Sequence, residues 1–210
     1  MNTFIKLFII IVFFLTGFYG CTDDTVGPVP ENNYQYGWVA GDLDSNSYGT
    51  ILYTSNGGEN WLTRNNSVFL KNVSVVDICA IDKNTVFAVC DSNRILKSLD
   101  GGNNWIKLNT PDLNPVPGLA CISALNSNTI WVSGEQGTVY KTIDGGNTWI
   151  QQGIGFFPAI SMQGIRVINA NVVYCVGNQG EGIGFAYCSK NGGSAWDTVA
   201  MPVNCRYPWL

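Results

Sequence analysis

The chain has 210 residues, 46% of them hydrophobic, 12% aromatic and 12% charged, with a formal net charge of −4. Such a composition excludes intrinsic disorder, and without a basic run or a Lys/Arg stripe nucleic acid is excluded as a partner. Histidine is absent and no C-x-x-C pair occurs, so Ser-His-Asp, Cys-His and cysteine-zinc chemistry have no residues to work with, and neither a metal nor a cofactor is expected.

The amino terminus, MNTFIKLFIIIVFFLTGFYGC, places one positive charge, Lys6, before an apolar run from Leu7 to Leu15. That run is shorter than the roughly 20 residues that span a bilayer, and its layout is that of a secretory signal, predicted over 1–20. Phe18-Tyr19-Gly20-Cys21 resembles a bacterial lipoprotein cleavage box, apart from Phe18 where leucine is usual. By that resemblance Cys21 is the lipidated first residue of a protein held at the bacterial cell envelope, in the outer membrane or at the cell surface, through a lipid anchor only. An ordinary signal cut near Gly20, giving a secreted protein, or an uncleaved anchor are the alternatives. The polar, proline-containing stretch over 21–34 reads as a flexible tether.

From residue 35 to 210 one unit recurs. TSNGGENW (54–61), SLDGGNNW (98–105), TIDGGNTW (142–149) and SKNGGSAW (189–196) share Ser/Thr-x-Asp/Asn-x-Gly-x-x-Trp, with tryptophans 44, 44 and 47 residues apart. Short strands flank each turn: ILYT, RILKS, TVYKT and FAYCS before it, and YGWVAG, TVFAVC, TIWVSG and VVYCVG further upstream. VVDICAID, LACISALN and GIRVINAN add a further upstream strand to three copies, and a short segment follows each tryptophan. Four-stranded units of about 40–45 residues that cannot bury both faces alone predict an all-β propeller of about four antiparallel blades. The first copy lacks its innermost strand. CRYPWL (205–210) is the candidate to supply it and close the ring; an open arc, or a ring completed by another copy, are the other outcomes.

In each turn the Asp or Asn side chain (Asn56, Asp100, Asp144, Asn191) is placed to accept backbone N–H bonds. The leading hydroxyl (Thr54, Ser98, Thr142, Ser189) supports the turn from the strand side. The second glycine (Gly58, Gly102, Gly146, Gly193) is expected at φ > 0. The tryptophans (Trp61, Trp105, Trp149, Trp196) are expected to wedge between blades, each burying about 150–250 Å², worth at most ~4–6 kcal/mol gross.

This motif is the Asp-box, or BNR repeat, of sialidases, some glucan hydrolases and sortilin-type receptors. With IWVSGEQ ahead of GTVYKTIDGGNTW, residues 36–200 resemble the photosystem II stability and assembly factor family. That resemblance implies a seven-bladed relative and envelope or secreted placement, and the rigid rims of a propeller with low charge and exposed aromatics suit a non-catalytic scaffold that binds another protein. Sialidase-like catalysis is not implied, because Arg64, Arg94, Arg166 and Arg206 lie outside the family's Arg-Ile-Pro setting. Nothing pairs Asp77 or Asp82 with a second acid across a cleft, as glycoside hydrolysis needs. No catalytic residue is assigned.

Two hairpin loops are lengthened, 42–49 and 178–185, both expected on one rim. A partner would be bound there by Asp42, Asp44, Tyr48, Glu181 and Phe185, unless the insertions are merely tolerated surface loops. A carbohydrate-binding module is the second functional reading, with Tyr48 beside Phe185 stacking on sugar. Asp42, Asp44 and Asn46 imitate a calcium loop, but Ser47 stands where glycine is needed and Tyr53 where glutamate is needed. Six cysteines follow Cys21 (79, 90, 121, 175, 188 and 205), either as buried small hydrophobes or as bridges such as Cys175–Cys188 or Cys79–Cys90.

Overall fold

A computed structural model describes residues 10–13, 35–91, 93–111, 118–153, 157, 160–179 and 183–200. It contains four antiparallel meanders of four strands each. Blade 1 is β1 (Ile10–Phe13), β2 (Gly37–Leu43), β3 (Gly49–Thr54) and β4 (Leu62–Thr63). Blade 2 is β5 (Val75–Ala80), β6 (Val86–Cys90), β7 (Ile95–Ser98) and β8 (Ile106–Lys107). Blade 3 is β9 (Leu119–Ala124), β10 (Ile130–Gly134), β11 (Val139–Thr142) and β12 (Ile150–Gln151). Blade 4 is β13 (Ser161–Val167), β14 (Val173–Gln179), β15 (Ile183–Ser189) and β16 (Asp197–Val199).

An inner blade is buried on both faces, so its central strands read as continuous apolar runs rather than alternating ones. In β6, VFAVC, every residue is buried. Val86, Ala88 and Cys90 join the core shared with blade 1, while Phe87 and Val89 join the core shared with blade 3. A third core fills the junction of blades 3 and 4. Among the described residues no fourth core joins blade 4 to blade 1, so the propeller is an unclosed arc.

The innermost strand of blade 1 differs from the expectation that the first copy lacks one. Ile10–Phe13 pairs antiparallel with β2, from Ile10 opposite Ala40 to Phe13 opposite Gly37. A short apolar run of this kind suits a strand edge as well as a signal core, and sequence pattern does not separate the two. The expected closing segment 205–210, Cys21, the tether to residue 34, Glu181, Arg206 and Cys205 lie outside the described residues.

The Asp-box turns form as read and add one detail. In blade 2 the Ser98 hydroxyl donates to Asp100 Oδ1 (2.9 Å) and accepts from the Gly102 N–H (2.8 Å), while Asp100 Oδ1 accepts from the Asn104 N–H (2.8 Å). Thr54 and Asn56, Thr142 and Asp144, and Ser189 and Asn191 repeat the pattern. All four hydroxyl residues are buried, so each hydroxyl satisfies backbone donors that water does not reach. Both glycines of every pair, not the second alone, have φ between +68° and +98°.

Cys79, Cys90, Cys121, Cys175 and Cys188 are buried free thiols. Cys175 lies opposite Tyr187 and Cys188 opposite Tyr174, so the two sulfurs leave opposite faces of blade 4 and cannot bridge. Cys79 packs toward blade 3 and Cys90 toward blade 1, which separates that pair in the same way. Burial pushes the Cys90 and Cys121 thiols up to about 12, leaving them as small inert hydrophobes.

Candidate functional site: the axial cavity and its blade latches

The innermost strands of blades 2, 3 and 4 and the end of β2 in blade 1 surround a cavity of about 710 Å³, lined by Asp42 from blade 1, Asp77 and Cys79 from blade 2, Ile122 from blade 3 and Arg166 from blade 4. The cavity wall is held by side-chain bonds that cross the junctions of blades 2 and 3 and of blades 3 and 4. Asp77 Oδ2 accepts from the Ile122 N–H at 2.7 Å and Oδ1 from the Ile78 N–H at 2.8 Å. Cys79 Sγ accepts from the Ala124 N–H at 3.3 Å, and Ser123 Oγ accepts from the Val167 N–H at 3.1 Å. Cys121 completes the set, its thiol donating to the Met162 carbonyl.

These latches explain a polar residue inside an apolar strand. Burial pushes the Asp77 carboxyl up to about 6, against the pull of the Ile122 and Ile78 N–H groups and of the Arg166 charge. Arg166 is exposed and lies on the same lining. The cavity therefore offers a half-buried carboxyl raised to about 6, an exposed guanidinium and the exposed carboxylate of Asp42. Sequence reading weighed Asp77 only as a hydrolase acid. The signal it passed over was an aspartate within VVDICA that lies 45 residues before Ile122, one repeat length away.

The tryptophans tie blades together on the outer side. Trp105 Nε1 donates to the Arg64 carbonyl and Trp149 Nε1 to the Asn109 carbonyl, each on the preceding blade and each at 2.9 Å. Trp196 is buried in the core of blades 3 and 4 and donates within its own turn, to the Gly193 carbonyl. Trp61, in the first blade, is half-buried. The second glycine of each inner turn meets the preceding blade: a Cβ there would press on Arg64 at Gly102, on Leu108 at Gly146, and on Gln152 and the Trp131 ring at Gly193. Close approach of a neighbouring sheet thus demands glycine as much as the turn's dihedral does.

The described rim residues, Asp42, Asp44, Tyr48 and Phe185, do not form one cluster. Asp44 organises its own loop, accepting from the Asn46 and Tyr48 N–H groups and from Asn65 Nδ2. The Tyr48 N–H is the main cause holding the Asp44 carboxyl below its ordinary value. Tyr48 packs on the core of blades 1 and 2, with the Lys71 ammonium 4.4 Å from its ring centroid. Phe185 stacks parallel to Tyr187, centroids 6.3 Å apart, at the core of blades 3 and 4. Tyr48 and Phe185 therefore belong to opposite ends of the arc. Asp42 reaches the cavity.

Asp82 is spent on a turn, accepting from the Asn84 and Thr85 N–H groups. Arg64 Nε donates to the Gly101 carbonyl and Arg94 to the Phe69 carbonyl. The described arginines are thus dispersed over different blades rather than gathered about one anion.

The chain is similar to the solved structure of YCF48 bound to D1 peptide, at 20% identity and a TM-score of 0.61, over 82% of this chain and 52% of that one. It is similar to YCF48 from Cyanidioschyzon merolae, at 18% identity and a TM-score of 0.60, over 84% and 56%. The Niastella koreensis GH74 enzyme follows at 17% identity and a TM-score of 0.59, over 84% of this chain and 30% of that one. At these identities the likeness shows the fold, and the chain spans about half the length of the two YCF48 structures. No curated protein matches the chain. The family model of the photosynthesis system II assembly factor YCF48 matches residues 22–155, so this arc of Asp-box blades belongs to the YCF48 family.

Proposed function

We propose that the chain is a non-catalytic lipoprotein of the bacterial envelope, with a signal over 1–20 whose removal takes Ile10–Phe13 from the inner edge of blade 1, a tether over 21–34 lipidated at Cys21, and a propeller arc over 35–210 that holds a segment of another protein. The reading rests on family membership together with one observation, the axial cavity whose lining holds Asp77, Asp42 and Arg166 and so offers both charges. A structural relative in the same family is described as bound to a peptide. The Asp-box carboxylates are engaged in their own turns. A glycan-binding module is the weaker reading, because the stacking pair it needs, Tyr48 and Phe185, is divided between two blade junctions.

The test is a pull-down from envelope extract with the full chain in detergent, beside the variant Arg166→Glu. A specific partner retained by the parent chain and lost with the variant supports the reading. Capture that is indifferent to Arg166, together with glycan-array binding abolished by Tyr48→Ala, replaces it with the second one. Labelled fatty acid incorporated by the parent chain and absent from Cys21→Ala checks the anchor.

A further inference from the structure

The three blade junctions repeat one set of positions, and the two ends of the arc leave that set unfilled in complementary ways. Strand registers align Trp38, Phe87, Trp131 and Tyr174, which lie opposite Tyr53, Lys97, Lys141 and Cys188. The first three of these aromatics face the following blade and are 0%, 0% and 1% exposed, whereas Tyr174 is 43% exposed. Val176, aligned with Val89 in the same way, is 37% exposed where Val89 is fully buried. This is the leading face of a blade with no blade ahead of it among the described residues.

Blade 1 shows the opposite half. Its trailing positions Val39 and Leu52 are half-buried, whereas their counterparts Ala88 and Leu96, Val132 and Tyr140, and Cys175 and Tyr187 are buried. Among the described residues a Cβ on Gly58 would meet only its own Trp61, at 3.6 Å, while the equivalent glycines of blades 2 to 4 meet a preceding blade. One end therefore presents an unused aromatic, and the other an unused Asp-box glycine and indole.

We propose that a second copy of this chain fills both ends: the leading face of blade 4 in one copy docks on the trailing face of blade 1 in the other, twice, closing a two-copy ring. The contact is continuous in kind with the three junctions inside the chain. It seats Tyr174 against Gly58 as Trp131 seats against Gly193. A head-to-tail contact of this type closes into a ring when its rotation permits, and two copies make a cyclic dimer. The axial cavity, walled by Asp77 and Arg166 on one side, gains its missing wall from the second copy.

The experiment measures the protein mass of the full chain in density-matched detergent by sedimentation, for the parent and for two variants that each spoil one face. Tyr174→Glu removes the leading face and Trp61→Glu the trailing face. The parent is expected at the mass of two chains, and each variant by itself at the mass of one. An equimolar mixture of the two is expected to regain a dimer, because the intact leading face of one variant meets the intact trailing face of the other. A single-chain parent, a variant that stays dimeric, a mixture that does not associate, or an assembly larger than two would overturn the proposal. Unfolding midpoints confirm that each variant is folded. Leu52→Asp replaces Trp61→Glu if the latter lowers its midpoint.

Discussion

Trp131 and Tyr174 hold the same position in neighbouring blades, and their surroundings differ in everything but the strand beneath them. Trp131 is sealed by the next blade: its ring touches the Gly193 turn, meets Trp196 edge-on at 6.1 Å, and lies under the Lys141 ammonium at 5.0 Å. Lys141 in turn donates to the Gly192 carbonyl across the junction, at 2.9 Å. Tyr174 has a matching strand and a matching partner position but no blade in front of it among the described residues. In a repeat protein, then, burial belongs to the junction rather than to the unit, and a residue's worth is set by whether its neighbour exists.

The largest expected contrast follows from that. Trp131→Ala empties a filled junction and should cost about 3–5 kcal/mol of stability, enough to unfold an arc of marginal stability. Tyr174→Ala at single-chain concentration should cost less than about 1 kcal/mol, as exposed positions do. Urea denaturation of the two variants checks the pair, and equal losses would contradict the junction account.

A smaller contrast isolates crowding from backbone strain. Gly58 and Gly193 have nearly the same dihedral, φ +95° and +98°. An alanine at either suffers the left-handed penalty of about 1–3 kcal/mol. Only at Gly193 does the new Cβ also collide with Gln152 and Trp131 of the preceding blade, adding overpacking of about 1–3 kcal/mol. Gly193→Ala should therefore lower the denaturation midpoint well beyond Gly58→Ala. Matching midpoints would mean that the turn, and not the junction, selects glycine.

What could be read from sequence divides along the same line. The Asp-box hydroxyl and its carboxyl or amide were legible because they act within one turn, where residue type dictates geometry; the positive φ of the first glycine was not, and the Trp105 and Trp149 indoles act across a junction. Four-strand blades were legible from the repeat. The filling of blade 1's inner edge by Ile10–Phe13 was not, because a short apolar run serves a signal core and a strand equally. Nor was the latch from Asp77 to Ile122 legible, or the separation of Tyr48 from Phe185. Those depend on which blades touch, which no local pattern records.

The smallest contrast is in pH dependence, where inner-junction and turn carboxyls carry opposite signs. Asp77 is raised to about 6 from an ordinary value of 3.8. The folded state therefore holds a proton that the unfolded state has released, and stability falls as pH rises from about 4 to 6. The difference between these two values corresponds to at most about 3 kcal/mol, less in practice because Asp77 lines an open cavity. Asp100 is depressed, chiefly by its bonds from the Asn104 side chain and N–H, and Asp144 chiefly by those from the Thr142 and Thr148 hydroxyls. Their stabilisation is fully present above about 3.8 and is lost as pH falls through the lowered folded values. The two windows do not overlap. Asp77→Asn should flatten the stability profile between pH 4 and 6 and leave the acid limb below pH 4 in place. Asp100→Asn, which copies the turns of blades 1 and 4 where Asn56 and Asn191 accept the same N–H bonds, should soften the acid limb and leave the upper window unchanged. Denaturation midpoints taken from pH 2.5 to 7 on both variants separate the carboxyl that latches one blade to the next from the carboxyls that only shape a turn.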